Sequence, residues 1–300
     1  MKYYFILNPT AGSGIKGKEF LTRFEELKSK NEYDLNIYET VGVGDSTRFV
    51  AEICTKYPDE DICIFACGGD GTMNEIASGL VHSDTAFAIV PYGSGNGLAR
   101  HLGYSMTPRL ALMQINHGNE MVIDYGIVNN KKFFCTCGTG FDAHISHSFA
   151  TTKKRGFLSY LKIIVKEYFG YHSNFYKINL DCFSFSRRAF LVTFANASQY
   201  GNMAYIAPHA STQDGVMDIC ILDTFPIYSI PKLAYLLFKK QIDKSRHISI
   251  LKAKSATLIR ENEGEFHIDG EAVNLGKEIH VEIVHNGLKI IIWRRKVKRR

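Results

Sequence analysis

The sequence predicts an α/β + β chain: a parallel α/β domain over residues 1–125, then a β-rich domain over 126–287 that is antiparallel and sandwich- or barrel-like. Three observations carry this reading. Up to Asp124, short apolar runs alternate with segments of helical periodicity, the signature of a parallel sheet with crossover helices. Beyond Met121-Val122-Ile123-Asp124, short β-rich runs separated by turn residues dominate. Three strands of the first part end in loops of glycine and other small residues, and the carboxyl edge of an open parallel sheet is where such folds form their ligand crevice. The first part therefore reads as Rossmann-like.

Its elements follow in order. Tyr3–Leu7 is a first strand, and Lys18–Lys30 a helix with Phe20, Leu21, Phe24 and Leu27 on one face. Asp34–Tyr38 is a second strand that ends at Thr40, and Ser46–Lys56 a helix capped by Asp45 or Ser46. Ile62–Cys67 and Ala86–Val90 are the third and fourth strands, followed by helices that begin near Thr72 and Asn96. In the second part the strands are Lys132–Thr136, Tyr176–Phe183, Ala189–Ala195, Val216–Leu222, Ala256–Arg260, Glu265–Ile268, Ile279–Val284 and Leu288–Trp293. Two helices interrupt them. Phe157–Phe169 places Phe157, Leu161, Ile164 and Tyr168 on one face, and a second spans Ile230–Lys240; both read as core-packing helices.

The most informative loop is Gly68-Gly69-Asp70-Gly71-Thr72, between a buried strand and a helix. Its glycines lack Cβ atoms, so a ligand can come close to the backbone N–H groups. Thr72-x-x-Glu75 has capping-box spacing, which makes Thr72 the expected N-cap. A helix start carries unpaired N–H groups and partial positive charge, which suits phosphate. Asp70 repels phosphate, and a bridging Mg²⁺ reconciles the two. The other loops are Asn8-Pro9-Thr10-Ala11-Gly12-Ser13-Gly14 and Pro91-Tyr92-Gly93-Ser94-Gly95-Asn96-Gly97. Each alone is also readable as a plain turn; together they supply many donors for a polyphosphate. Gly12 to Glu19 nearly matches a Walker A loop but carries Glu19 where that loop needs Ser or Thr for Mg²⁺, which argues against a P-loop NTPase.

The 300 residues carry a net charge of +6, and the tail Arg294-Arg295-Lys296-Val297-Lys298-Arg299-Arg300 supplies all of it. The tail reads either as a cationic patch for anionic lipid or nucleic acid, or as a solvated terminus. Its lack of interleaved aromatic residues beyond Trp293 leaves specific nucleic-acid recognition unsupported. Seven scattered cysteines argue for reduced thiols in a cytoplasmic protein. Cys135-Thr-Cys137 lacks zinc-site spacing. The N-terminal apolar run is short for a signal peptide, and no run reaches the roughly 18 apolar residues of a membrane span.

Taken together, Asn8-Pro9-x-Ala-Gly, Gly68-Gly-Asp-Gly-Thr72-x-Asn74-Glu75 and Pro91-x-Gly93-Ser94-Gly95-Asn96 resemble the diacylglycerol/sphingosine kinase superfamily, the soluble bacterial lipid kinases above all. The likeness continues through Ile123-Asp124-Tyr125-Gly126, Gly138-Thr-Gly140-Phe141-Asp142-Ala143, Ala207-Pro208, Asp214-Gly215 and Asp269-Gly270-Glu271. It implies an ATP-dependent lipid kinase with Mg²⁺ as cofactor and a closing strand, 288–300, that can rejoin the first domain. The matching nucleotide positions are Asn8, Pro9, Thr10, Ala11, Gly12, Thr40, Gly68, Gly69, Asp70, Gly71, Thr72, Asn74, Glu75 and Ser94. Asp70 and Asp124 match the substrate and catalytic-metal network, and Ser211, Asp214 and the carbonyl of Val216 a structural Mg²⁺ site.

Glu271 matches the general base, with Asp269 as second candidate. Pattern alone reads Glu265–Ile268 and Glu271–Val273 as a hairpin, with Asp269 in its turn and Glu271 an ordinary strand residue. Residue types alone also leave Thr40 as a strand end, Asp214 as a metal-free turn and Asp124 as a cap. One departure stands out: Asn96-Gly97 replaces the Asn-Asp of many bacterial diacylglycerol kinases and is similar to the sphingosine kinase form. The acceptor is therefore expected to be diacylglycerol or a sphingoid-type base, met at a membrane surface, with anionic lipid touched by the tail and a homodimer as an open alternative. A NAD kinase-like enzyme and a non-enzymatic anionic-membrane-binding protein are the competing readings.

Overall fold

The computed structural model describes residues 1–11, 14–30, 33–107, 110, 112, 118–150, 157–181 and 183–292, with the side chains of 14–19, 149–150 and 157–162 left out. Gly12, Trp293, the basic tail 294–300, Cys182 and the side chains of Phe157 and Leu161, placed by sequence on the apolar face of their helix, lie outside what is described. The chain divides into two compact units, Met1–Ile123 with Asn286–Arg300, and Asp124–His285.

The first unit runs β1 (Lys2–Leu7), α1 (Gly14–Lys28), β2 (Asp34–Glu39), α2 (Asp45–Lys56), β3 (Ile62–Gly68), α3 (Asp70–Leu80), β4 (Ala86–Pro91) and α4 (Gly97–His101). The strands pair in parallel in the order β2-β1-β3-β4, and the end of the last strand, Glu278–Ile292, joins in parallel through Ile290 opposite Phe87. Every residue of β3 and β4 is buried, as expected of a parallel sheet covered on both faces. On one face Phe5 stacks on Phe65 at 4.4 Å, and Phe20 and Phe24 of α1 are fully buried against it. The 3.6-residue spacing of these phenylalanines is what makes α1 amphipathic.

Two cap expectations are corrected. Helix α3 begins at Asp70 with Gly69 as its N-cap, so Thr72 lies inside the first turn, and Glu75 accepts the N–H of Gly44 instead of closing a capping box. Helix α2 begins at Asp45 after Gly44, whose φ of 82° needs glycine; the Asp45 carboxylate accepts the Val41 N–H and pairs with Arg48.

In the second unit, β5 (Asn119–Val128) enters from the first and pairs with β6 (Lys131–Phe133). Then come β7 (Thr136–Gly140), α5 (Phe141–Ala150), α6 (Phe157–Tyr168), β8 (Asn174–Leu180), β9 (Ser184–Ala189), β10 (Leu191–Ala195), β11 (Met217–Leu222), α7 (Ile230–Phe238), β12 (Ile248–Ala253), β13 (Ser255–Arg260), β14 (Gly264–Ile268), β15 (Glu271–Leu275) and β16 (Glu278–Ile292). One antiparallel sheet has the order β12-β11-β10-β7-β14-β15, and β16, β13, β8 and β9 form antiparallel pairs in a second.

Alternation sorts the side chains. Val192, Phe194, Ile219 and Ile221 face a core shared with Tyr176, Ile178, Leu258 and Val281 of the other sheet. Leu191, Ala195, Cys220 and Leu222 face the opposite way, under Phe141, Ile145, Leu233 and Leu236 of the helices. The architecture is thus a sandwich with helices on one outer face.

Several boundaries differ from expectation. The runs Ile279–Val284 and Leu288–Trp293 are one 15-residue strand, β16, through Asn286 at φ 54°. Lys132–Thr136 breaks into β6 and β7, because the N–H groups of Phe134, Cys135 and Thr136 turn to the Asp269 carboxylate instead of a strand partner. Helix α5 and strands β9 and β12 were not anticipated. The described cysteines, Cys54, Cys63, Cys67, Cys135, Cys137 and Cys220, are free thiols.

Candidate active site

The three small-residue loops of the first unit leave the carboxyl ends of β1, β3 and β4, which are adjacent strands. They are bonded to one another. Asn8 donates its Nδ2–H to the Thr72 hydroxyl at 3.0 Å, while its Oδ1 accepts from the backbone and hydroxyl of Thr10 at 3.0 and 2.8 Å. The Gly68 carbonyl accepts the N–H of Tyr92 at 2.8 Å. Asp70 accepts the N–H groups of Asn96 and Gly97 at 2.8 and 2.9 Å. A Cβ on Gly93 would lie 2.7 Å from the Gly69 Cα, so the two backbones meet too closely for any side chain at position 93.

Thr40 follows β2 at the same edge, its N–H bonded to the Leu7 carbonyl at 2.9 Å. Asn74 and Glu75 project from the first turns of α3, and Asn74 accepts from Ser78 at 3.3 Å. Pro9 and Ala11 stay in the first loop, where the Ala11 N–H closes on the Asn8 carbonyl. Ser94 is exposed and Gly71 partly so, each on a segment that Asp70 ties in place. The described nucleotide candidates therefore share one edge. Asn96 was undervalued by sequence: it is buried, sits at φ 52°, donates to the Gly93 carbonyl at 2.6 Å, and has an Oδ1 without a hydrogen-bond partner among the described residues. Its position before a helix is the signal that could have found it.

The second unit gathers the other candidates along one chain of hydrogen bonds. Asp124 is fully buried; its carboxylate accepts the Gly215 N–H at 2.8 Å and meets His285 Nδ1 at 2.7 Å. Asn196 donates to the carbonyls of Asp124 and Phe134, both at 2.9 Å. Phe134, Cys135 and Thr136 donate to Asp269 at 2.8–3.1 Å. Asp269 and Gly270, at φ 48° and 85°, form the tight turn between β14 and β15, where Ile268 pairs with Glu271. With three amide donors on it, Asp269 is a loop anchor; Glu271 is exposed at the start of β15. Sequence gave no hint of Asn196 or His285.

The matching metal turn holds Ser211, which accepts the Gln213 N–H at 3.2 Å, and Asp214, which accepts the Val216 N–H at 3.4 Å and the Lys252 ammonium at 2.7 Å. The same ammonium lies 3.4 Å from Asp218 Oδ1, a buried oxygen with no other partner among the described residues. Burial raises the pKa of Asp218. Among the described residues, no three His, Cys, Asp or Glu side chains gather as a metal cluster. The Asp214 carboxylate and the Ser211 hydroxyl are oxygen donors of the kind a hard cation takes, with carbonyl and water oxygens to complete its shell.

The Gly138–Ala143 motif has an internal role. Asp142 accepts from Thr193, Tyr200 and His267 at 2.7, 2.9 and 3.1 Å, fixing α5 to β10, to the segment that follows it, and to β14. His144 binds Glu265 at 2.9 Å and Glu167 at 3.1 Å. Burial works against its imidazolium, but the two carboxylates outweigh it, and its pKa is raised.

Residues 2–128 match the model of the diacylglycerol kinase catalytic domain, and residues 135–292 that of the YegS C-terminal NAD kinase beta sandwich-like domain. A diacylglycerol kinase of Bacillus subtilis (strain 168) is 28% identical over 294 residues, covering 92% of this chain and 94% of the relative. A "Probable lipid kinase YegS-like" of Serratia proteamaculans (strain 568) is 25% identical over 287 residues, covering 93% and 90%. A solved structure titled "Crystal structure of a putative diacylglycerol kinase from Bacillus anthracis str. Sterne" superposes with a TM-score of 0.77 at 25% identity, covering 99% and 98% of the two chains. No described helix is long and apolar enough to cross a membrane.

Proposed function

Because this chain belongs to the diacylglycerol/sphingosine kinase superfamily and is a diacylglycerol kinase-like lipid kinase, we propose that it transfers the γ-phosphoryl group of ATP to the hydroxyl of a lipid, diacylglycerol or a sphingoid-type base. The observation that carries this is the bonded set of three loops at one edge of the parallel sheet, Asn8 to Thr72 and Asp70 to Asn96 and Gly97. Backbone N–H groups there and at the start of α3 suit a polyphosphate. When bound, Mg²⁺ neutralises charge on the phosphate oxygens. Asp70 and Asp124 are the acidic groups assigned to that network, and Ser211, Asp214 and Val216 to a structural cation.

Glu271 is the proposed general base. A lipid hydroxyl is barely acidic, so a carboxylate takes its proton as the new O–P bond forms. Asp269, held by three amides, positions the hairpin that carries Glu271. The protein works from the cytoplasm, in transient contact with the membrane that holds its acceptor.

The name of the matched second-domain model favours one other reading, a NAD kinase-like acceptor. Incubation with labelled ATP and Mg²⁺, against a mixed lipid extract and a set of dinucleotides, separates the two by mass spectrometry of the products. A phosphorylated lipid is the expected product; phosphorylated dinucleotide alone overturns the lipid assignment.

A further inference from the structure

Helix α7 presents two unlike faces. Leu233 and Leu236 point inward and are buried with Leu222 and Ile248. On the other side Tyr228, in the turn before the helix, is 75% exposed and Tyr235 is 60% exposed. Within the helix Lys232 and Tyr235, three residues apart, share this outward side, with the exposed Tyr228 in the turn before it and the exposed Lys239 directly after it. Phe238 is also exposed. From Thr224 to Ile242 the chain has three lysines and no acidic residue. At the start of the helix the apolar surface continues into an open groove of about 510 Å³ walled by Tyr168, Phe169, Phe225 and Ile227, with Arg188 also in its lining. Phe169 there is 71% exposed.

We propose that the outward face of α7, with the adjoining aromatic groove, is a docking surface for an anionic lipid bilayer. The chemistry selects this partner. Tyrosine has an apolar ring and a polar tip, which suits the boundary between headgroups and acyl chains. Lysine lays its methylene stem along apolar surface and keeps its ammonium in the headgroup layer. Exposed tyrosines and lysines on and beside one short helix, unrelieved by acid, match a segment lying in the plane of a negatively charged membrane. The surface deepens the lipid-kinase reading, on which it rests for its purpose, because a long-chain acceptor stays in the bilayer and the enzyme must come to it.

The test uses the full chain without nucleotide, in sedimentation with vesicles of phosphatidylcholine alone or enriched in phosphatidylglycerol. Wild-type protein is expected to bind the anionic vesicles and to release them in high salt. The variant Tyr228→Ser/Tyr235→Ser/Phe238→Ser, and separately Lys232→Gln/Lys239→Gln, should each lower partitioning by about tenfold or more. Both leave the basic tail intact, so the loss belongs to the helix. Wild-type melting temperatures for the two variants exclude unfolding. Phosphorylation of a short-chain, water-soluble acceptor should stay unchanged. Undiminished vesicle binding in both variants overturns the proposal, as does a dimer in gel filtration that the aromatic variant dissolves, which would make the face a subunit interface. A wrong kinase assignment shows differently, as no turnover on any acceptor with vesicle binding intact.

Discussion

Asp70 holds the backbone of Asn96 from 26 residues away, accepting its N–H at 2.8 Å on one carboxylate oxygen while the other takes Gly97 at 2.9 Å. The aspartate of the second loop is therefore also the anchor of the third. That explains how a negative charge persists where phosphate is expected: backbone donors face it on one side, and a carboxylate has about four acceptor sites, so an Mg²⁺ network can share it.

Substitution Asp70→Asn should affect both roles. An amide accepts through its oxygen only, so one of the two N–H groups is left facing an NH₂. An unpaired group of this kind costs about 1–3 kcal/mol. The expected outcome is a folded protein with a lower melting temperature and no lipid phosphorylation, read by thermal denaturation and labelled ATP. Wild-type turnover would remove Asp70 from the proposed network.

Glu271→Gln and Asp269→Asn should part company. Glu271 is exposed, and its change should leave stability within about 0.5 kcal/mol while lowering turnover by roughly 10²-fold or more. Asp269→Asn weakens the hold on three amides and should lower the midpoint of urea unfolding. If Glu271→Gln keeps full kcat, the base lies elsewhere.

Added Mg²⁺ should raise the melting temperature and EDTA should lower it, in the absence of ATP. Asp214→Ala should abolish this response. Lys252→Met should enlarge it, because the ammonium 2.7 Å from Asp214 competes with the cation for the same oxygen. An unchanged response in Asp214→Ala would place the cation at another site.

The pKa of His144 is raised in the folded protein, so the folded state binds its proton more tightly than the unfolded chain. The stability this provides is present in full below the ordinary value of 6.5 and is lost as pH rises through the raised folded value. His144→Gln should flatten that alkaline decline in urea unfolding measured across the neutral range. The same slope in both proteins would show that His144 does not anchor α6 through Glu167.

The sequence by itself determined the order of elements in the first unit, the sandwich character of the second, and the family, because each is written in local signals. Apolar periodicity marks strands and helices, and small-residue loops mark strand ends. The Asp-Gly hairpin at 269–270 was equally legible, since a two-residue turn depends only on its own backbone. Tertiary structure decided the rest. Thr72 reads as a cap locally, yet its hydroxyl accepts from Asn8, 64 residues away. Asp269 reads as a candidate base, yet its carboxylate holds the break between β6 and β7 from 133 to 135 residues away. Asn196 and His285 carry no local mark at all, although both hold Asp124. A side chain's role depends on which distant donors reach it, and that follows from how the sheets assemble and not from spacing along the chain.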